Sequence, residues 1–288
     1  MAAPAGDRVN KWALIIDVAR CTNCQNCVLA TRDEHVGNTH PGYGPPMPSS
    51  GPEWITIERR TRGNDSMVDV SYVPRTCNHC DDAPCVRAAG DGAIYKRPDG
   101  IVIIDPVKSR GRVDLVESCP YGMISWNPEA QVPQKWSFDA HLLDAGWRQP
   151  RCAQACPTGA MQSVRLADSE LQQLKARDAL QELRPELQTR SRVLYRNLNR
   201  ATRCFLGGTV ICAGGLENVP GARVELHMGD ETTATCVSDS FGDFRFDNLQ
   251  ATGSGWTLSL SHPELGLASL QGTLTGSQYL GTLELVKL

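Results

Sequence analysis

The chain has 288 residues, of which 21% are charged and 41% hydrophobic, a composition typical of a folded protein with about two domains. Its formal net charge is −3, and no basic stripe with interleaved aromatic residues occurs, so we expect no nucleic-acid partner. The longest apolar runs, at 12–16 and 101–104, are too short to span a bilayer, and we expect no direct membrane insertion. Residues 1–9 carry neither an apolar signal segment nor a twin-arginine pair, which predicts a cytoplasmic location unless a partner carries the chain elsewhere.

The first predicted domain covers residues 1–165. It contains most of the prolines and several short strand-like runs, among them 12–18, 54–59 and 101–105, which are bounded by turn residues. Residues 37–52 are rich in glycine, proline and serine. This composition indicates an ordered loop or an arm that contacts a partner, rather than a helix or strand.

A helical connector is predicted for residues 166–203. Asp168 or Ser169 can cap a helix, and leucines recur at helical spacing from Leu171 onward with charged residues between them. Pro185 would break or kink that helix, and a basic stretch follows it.

Residues 204–288 have a β-rich pattern of short alternating runs separated by Gly, Asp and Asn turns. The runs lie at 208–212, 222–228, 233–238, 243–246, 257–261 and 282–286. Six or seven short antiparallel strands predict a small Ig-like β-sandwich, so the fold class of the whole chain is α+β. Three widely spaced cysteines of this segment are interpreted as core residues rather than metal ligands: Cys204, Cys212 and Cys236.

The other nine of the twelve cysteines lie between Cys21 and Cys156, most of them in tight groups. Tight groups in a chain without a secretion signal indicate metal ligands rather than disulfides. Two of the groups are triples, the first with Cys21, Cys24 and Cys27 and the second with Cys77, Cys80 and Cys85. Two Cys-Pro units follow, at Cys119 and Cys156.

Such triples with remote Cys-Pro units are typical of 4Fe–4S proteins, in which a tight loop supplies three thiolates and a distant cysteine the fourth. Eight thiolates are enough for two 4Fe–4S clusters. A four-cysteine zinc site uses similar spacing, but it would favour paired Cys-x2-Cys knuckles over triples. His79 lies inside the second triple; we expect it to donate a hydrogen bond or to pack there, and to tune the potential, rather than to act as a ligand.

The same spacing recurs elsewhere with its cysteines replaced. Residues 89–93 match the frame of a Cys-Pro unit without the Cys and Pro, and Thr31 stands at the corresponding position after the first triple. Before Cys119, the ligand positions 109, 112 and 115 hold Ser, Arg and Leu. The chain therefore keeps the frame of a four-cluster protein with many ligands replaced.

On these motifs, residues 1–165 resemble the iron–sulfur subunits that partner molybdopterin enzymes of the dimethyl-sulfoxide-reductase family. That family resembles two fused ferredoxins, with the first motif paired with the fourth and the second with the third. The stretches 135–141 and 146–152 resemble the fourth motif. In it Trp136 and Asp139 occupy positions that are normally Cys, while Cys152 and Cys156 remain.

The pairing in that family implies which cysteines act together. Cluster one would be held by Cys21, Cys24, Cys27 and Cys156, and cluster two by Cys77, Cys80, Cys85 and Cys119. The third site would need Ser109, Arg112, Leu115 and Ala89, and the fourth would need Trp136, Asp139, Cys152 and Thr31. Neither set holds a cube, so two clusters are expected. We interpret Cys152 as a packed relic thiol and Trp136 as filling the volume of a lost cluster.

The full layout resembles the small subunits of pyrogallol–phloroglucinol transhydroxylase and resorcinol hydroxylase. In those, a Cna-B-like or carboxypeptidase-regulatory-like sandwich follows the ferredoxin part, and the strings at 219–224 and 240–244 fit that sandwich. The resemblance implies an electron-transfer subunit with no catalytic residues of its own, in a heterodimer. Its partner would be a large catalytic subunit that binds a bis-pterin molybdenum cofactor and hydroxylates or transhydroxylates a polyphenol.

Three alternatives remain at this point. In the first, the chain is the electron-transfer subunit of another molybdopterin oxidoreductase. In the second it is a freestanding ferredoxin-like carrier, and in the third it is a redox-silent scaffold in which the clusters only support folding. Reduction of the clusters by a native donor, or by substrate through the large subunit, would separate electron transfer from a scaffold role.

Overall fold

The computed structural model describes residues 9–215, 217–228 and 232–287. The chain divides into two compact units. The first contains Met1–Glu58 and Tyr72–Leu198, and the second contains Arg59–Ser71 and Asn199–Leu288. The domain boundaries predicted at 165 and 203 stay predictions. The two compact units are defined differently, since residues 59–71 are grouped with the second unit.

The first unit combines short strands with short helices. Its strands and helices in chain order are β1 (Lys11–Asp17), α1 (Asn26–His35), the hairpin β2 (Ile55–Asn64) and β3 (Met67–Thr76) whose tip belongs to the second unit, α2 (Pro84–Ala89), β4 (Ile94–Lys96), β5 (Val102–Ile104), β6 (Ser125–Asn127), β7 (Val132–Gln134), α3 (Ala140–Asp144), α4 (Arg151–Gln154), β8 (Met161–Leu166), α5 (Asp168–Arg177) and β9 (Val193–Arg196). Two 3₁₀ turns, Val113–Leu115 and Pro185–Leu187, lie between them.

Strand β1 is the centre of a three-stranded sheet with the order β8-β1-β9. Six of its seven residues are buried, which fits a central strand covered on both faces. It pairs antiparallel with β8 and parallel with β9. Because β8 follows directly on the second Cys-Pro unit, this pairing fixes the position of that unit relative to the start of the chain.

The predicted helical connector is only partly helical. Helix α5 forms, and its first turn is supported by Glu170, whose carboxylate accepts a hydrogen bond from the Ala167 N–H at 2.9 Å. The helix prediction is wrong for Val193–Arg196, which form strand β9. In β9, Val193, Leu194 and Tyr195 are fully buried. These residue types pack well on the pleated surface of a sheet.

The second unit forms two packed sheets. Its elements are α6 (Asn199–Thr202), β10 (Cys204–Ile211), β11 (Arg223–His227), β12 (Thr232–Val237), β13 (Asp243–Leu249), β14 (Gly255–His262), β15 (Gly266–Thr273) and β16 (Gln278–Glu284). The sheets have the orders β13-β10-β16 and β12-β11-β14-β15. Apolar residues of both sheets share one buried core that includes Leu206, Phe244, Trp256 and Leu258. The structure thus has the β-sandwich that alternation predicted, with β15 as a strand that was not among the predicted runs.

No helix in the described part of the chain is long and apolar enough to cross a membrane.

Candidate metal centres

The first group of cysteines comes together at one cavity of the first unit. Cys21, Cys24, Cys27 and Cys156 line a space with an empty volume of about 290 Å³. Its other walls include the apolar residues Ile57, Pro74, Ala160 and Met161. The structure therefore brings together the four cysteines that the family pairing assigns to cluster one.

Strand pairing explains why cysteines far apart in sequence meet here. Ile16 in β1 faces Met161 in β8, and the Asp17 N–H donates to the Ala160 carbonyl at 2.7 Å. This register places the residues just before β8 beside the residues just after β1. The loop that carries the triple then turns sharply, since Asn23 (φ 59°) and Gln25 (φ 64°) adopt left-handed conformations. Such non-glycine residues cost about 1–2 kcal/mol each, and they cluster at functional sites.

The second group of cysteines lines a separate cavity. Cys77, Cys80, Cys85 and Cys119 surround an empty volume of about 340 Å³. Three of these cysteines are buried, whereas in the first group Cys24 is exposed. The walls are mostly apolar and include Ala83, Val102, Tyr121 and Ile124, together with the amine-bearing side chain of Lys135. These four cysteines are the ones that the family pairing assigns to cluster two.

Burial dominates the acid–base properties of most of these thiols. It raises the pKa of Cys27 to about 12, of Cys80 to about 12 and of Cys85 to about 11, with neighbouring cysteines adding to the effect. These thiols are therefore protonated at neutral pH in the metal-free chain. Because thiolates are the metal ligands, loading the sites must release protons.

Cys156 differs from the other thiols. Burial works to raise its pKa, but hydrogen bonds from the Met161 N–H, the Thr158 hydroxyl and the Ala160 N–H outweigh burial and lower it. Cys119, the other Cys-Pro cysteine, accepts a hydrogen bond from the Met123 N–H at 3.5 Å. Donors of this kind stabilise negative charge on sulfur.

Two lysines, the buried Lys135 and the half-buried Lys96, lie next to the second cavity. Lys135 Nζ donates to the Val102 carbonyl at 2.5 Å and to the Trp136 carbonyl at 3.1 Å, and its positive charge acts to lower the pKa of Cys85 and Cys119 against the larger effect of burial. Lys96 Nζ donates to the carbonyls of His79 and Cys80. Sequence reasoning missed both lysines, because neither stands at a fixed spacing from the cysteine motif.

His79 is fully buried in the wall of the second cavity. Its Nδ1 accepts the Val102 N–H at 3.0 Å, so the proton of the neutral ring is on Nε2. Burial lowers the pKa of His79 well below its usual range, and the Lys135 and Lys96 charges add to this. Among the described residues Nε2 has no hydrogen-bond partner. An unpaired buried donor costs about 1–3 kcal/mol, so this atom points to an acceptor supplied by a bound group.

The positions of the third site are filled by ordinary packing. Ala89 and Leu115 belong to the same hydrophobic core as Cys80 and Ile94. Arg112 turns outward to pair with Asp91 and Asp114 at 2.9 and 2.8 Å. No thiol is present among these positions.

The positions of the fourth site form a buried polar network. Asp139 is fully buried; Oδ1 accepts from His35 Nε2 at 2.8 Å and from Trp136 Nε1 at 3.0 Å, and Oδ2 accepts from the Arg151 N–H at 2.8 Å. Trp136 is itself fully buried and stacks on Phe138, as expected of a side chain that fills vacated space. Burial, the Asp139 carboxylate and the Cys27 thiol raise the pKa of Cys152 well above its usual range, which fits a packed thiol rather than a ligand.

The donor sets fit iron–sulfur clusters. Each cavity offers four sulfur atoms and mostly apolar walls, and a 4Fe–4S cube takes four thiolates. The second cavity adds the orphaned Nε2–H of His79. All twelve cysteines are free thiols. The three in the second unit pack, partly buried, against the sandwich core, as the sequence predicted.

Comparison with known proteins identifies the family to which the chain belongs. A family model described as a 4Fe-4S dicluster domain matches residues 68–166. The pyrogallol hydroxytransferase small subunit of Pelobacter acidigallici is 39% identical over 244 residues, which cover 84% of this chain and 88% of that protein. A tetrathionate reductase subunit of Salmonella typhimurium is 32% identical over 68% of this chain and 76% of its own length. The chain belongs to the family of iron–sulfur electron-transfer subunits of molybdopterin oxidoreductases.

Another member of this family is more distant. The arsenate respiratory reductase iron–sulfur subunit of a Shewanella species is 31% identical over 49% of this chain and 55% of its own length. Among solved structures, 5-hydroxyisourate hydrolase of Klebsiella pneumoniae matches 28% of this chain and 91% of its own at 14% identity, with a TM-score of 0.25.

Proposed function

We propose that this chain holds two 4Fe–4S clusters and transfers electrons for a large molybdopterin-binding subunit that hydroxylates or transhydroxylates a polyphenol. The observation that carries the cluster count is the pair of separate cavities, each lined by four cysteines. Cys21, Cys24, Cys27 and Cys156 would hold cluster one, and Cys77, Cys80, Cys85 and Cys119 cluster two. The bis-pterin molybdenum cofactor would lie in the partner, not in this chain.

The polyphenol reaction is supported by the relative from Pelobacter acidigallici, which matches over most of both chains. The relatives named for tetrathionate and arsenate match smaller shares of this chain. For that reason we place the partner among pyrogallol- or resorcinol-type hydroxylases and transhydroxylases.

The residues of the first unit would control where an electron can enter and leave. When bound, a cube held by four thiolates supplies one-electron transfer without an open iron site. Cys24 is exposed, whereas three cysteines of the second group are buried. The first site is thus the one next to solvent, and we propose that the chain exchanges electrons with a partner there. The second site keeps water away from its sulfur atoms with apolar walls.

A double ferredoxin-like arrangement is also proposed for the first unit. Three five-residue segments have a glycine at the fourth position and precede a strand: 89–93 before β4, 119–123 before β6 and 156–160 before β8. Gly92, Gly122 and Gly159 all have positive φ, at 81°, 66° and 62°. The same turn at three places, including one without cysteine, supports descent from repeated ferredoxin motifs.

The test is iron and acid-labile sulfide per chain in anaerobically purified protein, with EPR after reduction. We expect about eight of each, and two 4Fe–4S signals. Cys156→Ser and Cys119→Ser should each remove one signal and about half the iron, and a different signal in each case. About twelve iron atoms, or the same signal lost in both variants, would contradict the assignment, and zinc in place of iron would overturn it.

A second experiment addresses the partner. The chain is co-expressed with the large subunit, and a polyphenol is added to the oxidised complex under anaerobic conditions. Appearance of reduced-cluster EPR signals would support electron transfer for this partner. Clusters that no donor reduces would indicate a scaffold role, and failure of the two chains to co-purify would indicate a freestanding carrier.

A further inference from the structure

Three histidines and two acidic residues, none of which lines either cysteine cavity, gather on the first unit. His35 and Glu34 lie in the last turn of α1, His40 lies in the 37–52 segment, and His141 lies in α3. His35 is engaged with the buried Asp139. The other three residues, Glu34, His40 and His141, each offer a ligand atom, and these atoms lie within 4.8 Å of one another.

The contacts among these three residues leave coordinating nitrogen available. His141 Nε2 lies 2.8 Å from Glu34 Oε1, and His40 Nε2 lies 3.1 Å from the Glu34 carbonyl. His141 Nδ1 is buried and has no hydrogen-bond partner among the described residues. His141 can therefore offer an ion either Nδ1, which has no other partner among the described residues, or Nε2, in exchange for its contact with Glu34.

The chemistry of the three side chains suits a divalent metal ion. A neutral imidazole is the form that binds metal. Glu34 supplies negative charge, although Arg151 Nε lies 3.4 Å from its other oxygen. Two imidazoles and one carboxylate are a common zinc set, in which the fourth position stays open.

We propose that Glu34, His40 and His141 bind a divalent first-row transition ion such as Zn²⁺, independently of the iron–sulfur clusters. A small pocket adjoins the His40 side of this group, and its walls include His40, Tyr43 and Gln134. The rings of His40 and His141 stack 3.6 Å apart with their planes 22° apart. Binding therefore requires the two rings to open further, which their partial exposure permits.

The bound ion would link α1, the 37–52 arm and α3. Glu34 lies in the last turn of α1, His141 in the first turn of α3, and His40 in the 37–52 arm. That arm is already held by Tyr43, whose hydroxyl donates to Asp144, and by the burial of Met47. A metal at its start would fix the part of the arm that carries the exposed residues 37–39 and 41–42.

The experiment uses the full-length protein with its clusters, freed of loose metal by a mild chelator and titrated with Zn²⁺. We expect one zinc per chain in addition to an unchanged iron content. Zinc K-edge absorption should show nitrogen and oxygen ligands at about 2.0–2.1 Å and no sulfur. His141→Ala and His40→Ala should each weaken binding by roughly tenfold or more, as even outer-shell losses do at metal sites.

Matched controls separate this site from others. His262→Ala, in the second unit, should bind zinc as the unaltered protein does. Iron content of His40→Ala reports whether the fold and clusters survive, since this residue lies in the arm and not in a helix. Zinc with sulfur ligands at about 2.3 Å and a matching loss of iron would place it in the cysteine sites and overturn the proposal. Binding that is insensitive to both histidine variants would overturn it as well.

Discussion

Asp139 shows how a single residue accommodates the loss of a ligand. A buried carboxylate is costly unless it is fully hydrogen-bonded, and Asp139 receives three hydrogen bonds, from His35, Trp136 and the Arg151 N–H. Burial works to raise its pKa, but these donors outweigh burial and lower it. This set of donors keeps the position, which the family resemblance assigns to a missing cysteine ligand, polar and filled.

His79 carries a prediction about the reduction potential of the second centre. Its Nε2–H is a buried donor without a protein acceptor among the described residues, and hydrogen bonds to sulfur stabilise the reduced, more negative cluster. His79→Leu should lower the potential of that centre by on the order of 60 mV, a tenfold change for one electron. EPR-monitored redox titration measures both centres at once, and the first should not move. An unchanged second potential would mean that Nε2–H instead faces the Trp136 and Phe138 rings.

Asp69, in the second unit, gives a prediction about pH. Burial works to raise its pKa, but hydrogen bonds from Arg200 (2.5 Å) and Arg62 (2.8 Å) and their charges lower it to about 2. A depressed pKa stabilises the folded state above the unfolded value of about 3.9, and this contribution is lost as pH falls through the folded value.

We therefore expect Asp69→Asn to lower the free energy of unfolding at pH 7 by about 2 kcal/mol. The difference from the unaltered chain should shrink below about pH 4 and nearly vanish near pH 2. Urea unfolding of the strand signal by circular dichroism at several pH values measures it. Asp65→Asn, a change at an exposed residue of the same hairpin, is the control. A difference that stays constant with pH would contradict the ion-pair explanation.

At the scale of elements, the 37–52 arm is an ordered part of the first unit rather than a free loop. Gln134 Nε2 donates to the Pro45 carbonyl at 2.9 Å and to the Pro46 carbonyl at 3.2 Å. Asn127 Nδ2 donates to the same Pro46 carbonyl at 3.0 Å and to Gln134 Oε1 at 2.9 Å. The hairpin of β6 and β7 thus holds the arm through hydrogen bonds to the carbonyls of Pro45 and Pro46. Partner contact by this arm stays a proposal.

Gln134→Leu tests this hold. Losing hydrogen bonds worth about 1.5 kcal/mol should make amide exchange in the arm roughly tenfold faster. Hydrogen–deuterium exchange by mass spectrometry resolves the arm peptide, and Gln172→Leu on the exposed face of α5 is the matched control. Unchanged exchange in the arm would mean that Met47 and the backbone contacts hold it alone.

At the scale of the whole molecule, the two units have separate cores. The sandwich core is built from residues of the second unit, and the core around the second cavity includes Cys80 and Cys85 themselves. A bound cluster is therefore part of the first core but not of the second. Metal binding supplies folding free energy where ligands meet only in the folded state.

Removal of the clusters should destabilise the first unit and leave the second unit unchanged. After anaerobic treatment with oxidant and chelator, we expect amide exchange to rise in β1, α1 and α2, while β10, β11 and β14 keep their protection. Reconstitution with iron and sulfide should restore the slow exchange in the first unit. Equal loss of protection in the sandwich strands would show that the second unit depends on the clusters for its stability.

The sequence alone determined the chemistry of the sites, because ligand spacing is a local property. A triple such as Cys21-x2-Cys24-x2-Cys27 specifies three thiols on one loop wherever that loop lies. It likewise determined most sandwich strands, since alternation along a strand is also local. Its helix prediction failed at β9, where pairing with β1 and complete burial overrode a basic stretch with weak helical signals.

Only the tertiary structure decided which distant groups meet. Cys156 reaches the first triple through the register of β1 with β8, and the family resemblance, rather than spacing, had supplied that pairing. The contacts of Lys135 with Val102, of Asp139 with His35 and of His141 with Glu34 join residues 33, 104 and 107 positions apart. Such contacts leave no periodic pattern in the sequence, because the path of the chain between the two residues is not set by local spacing.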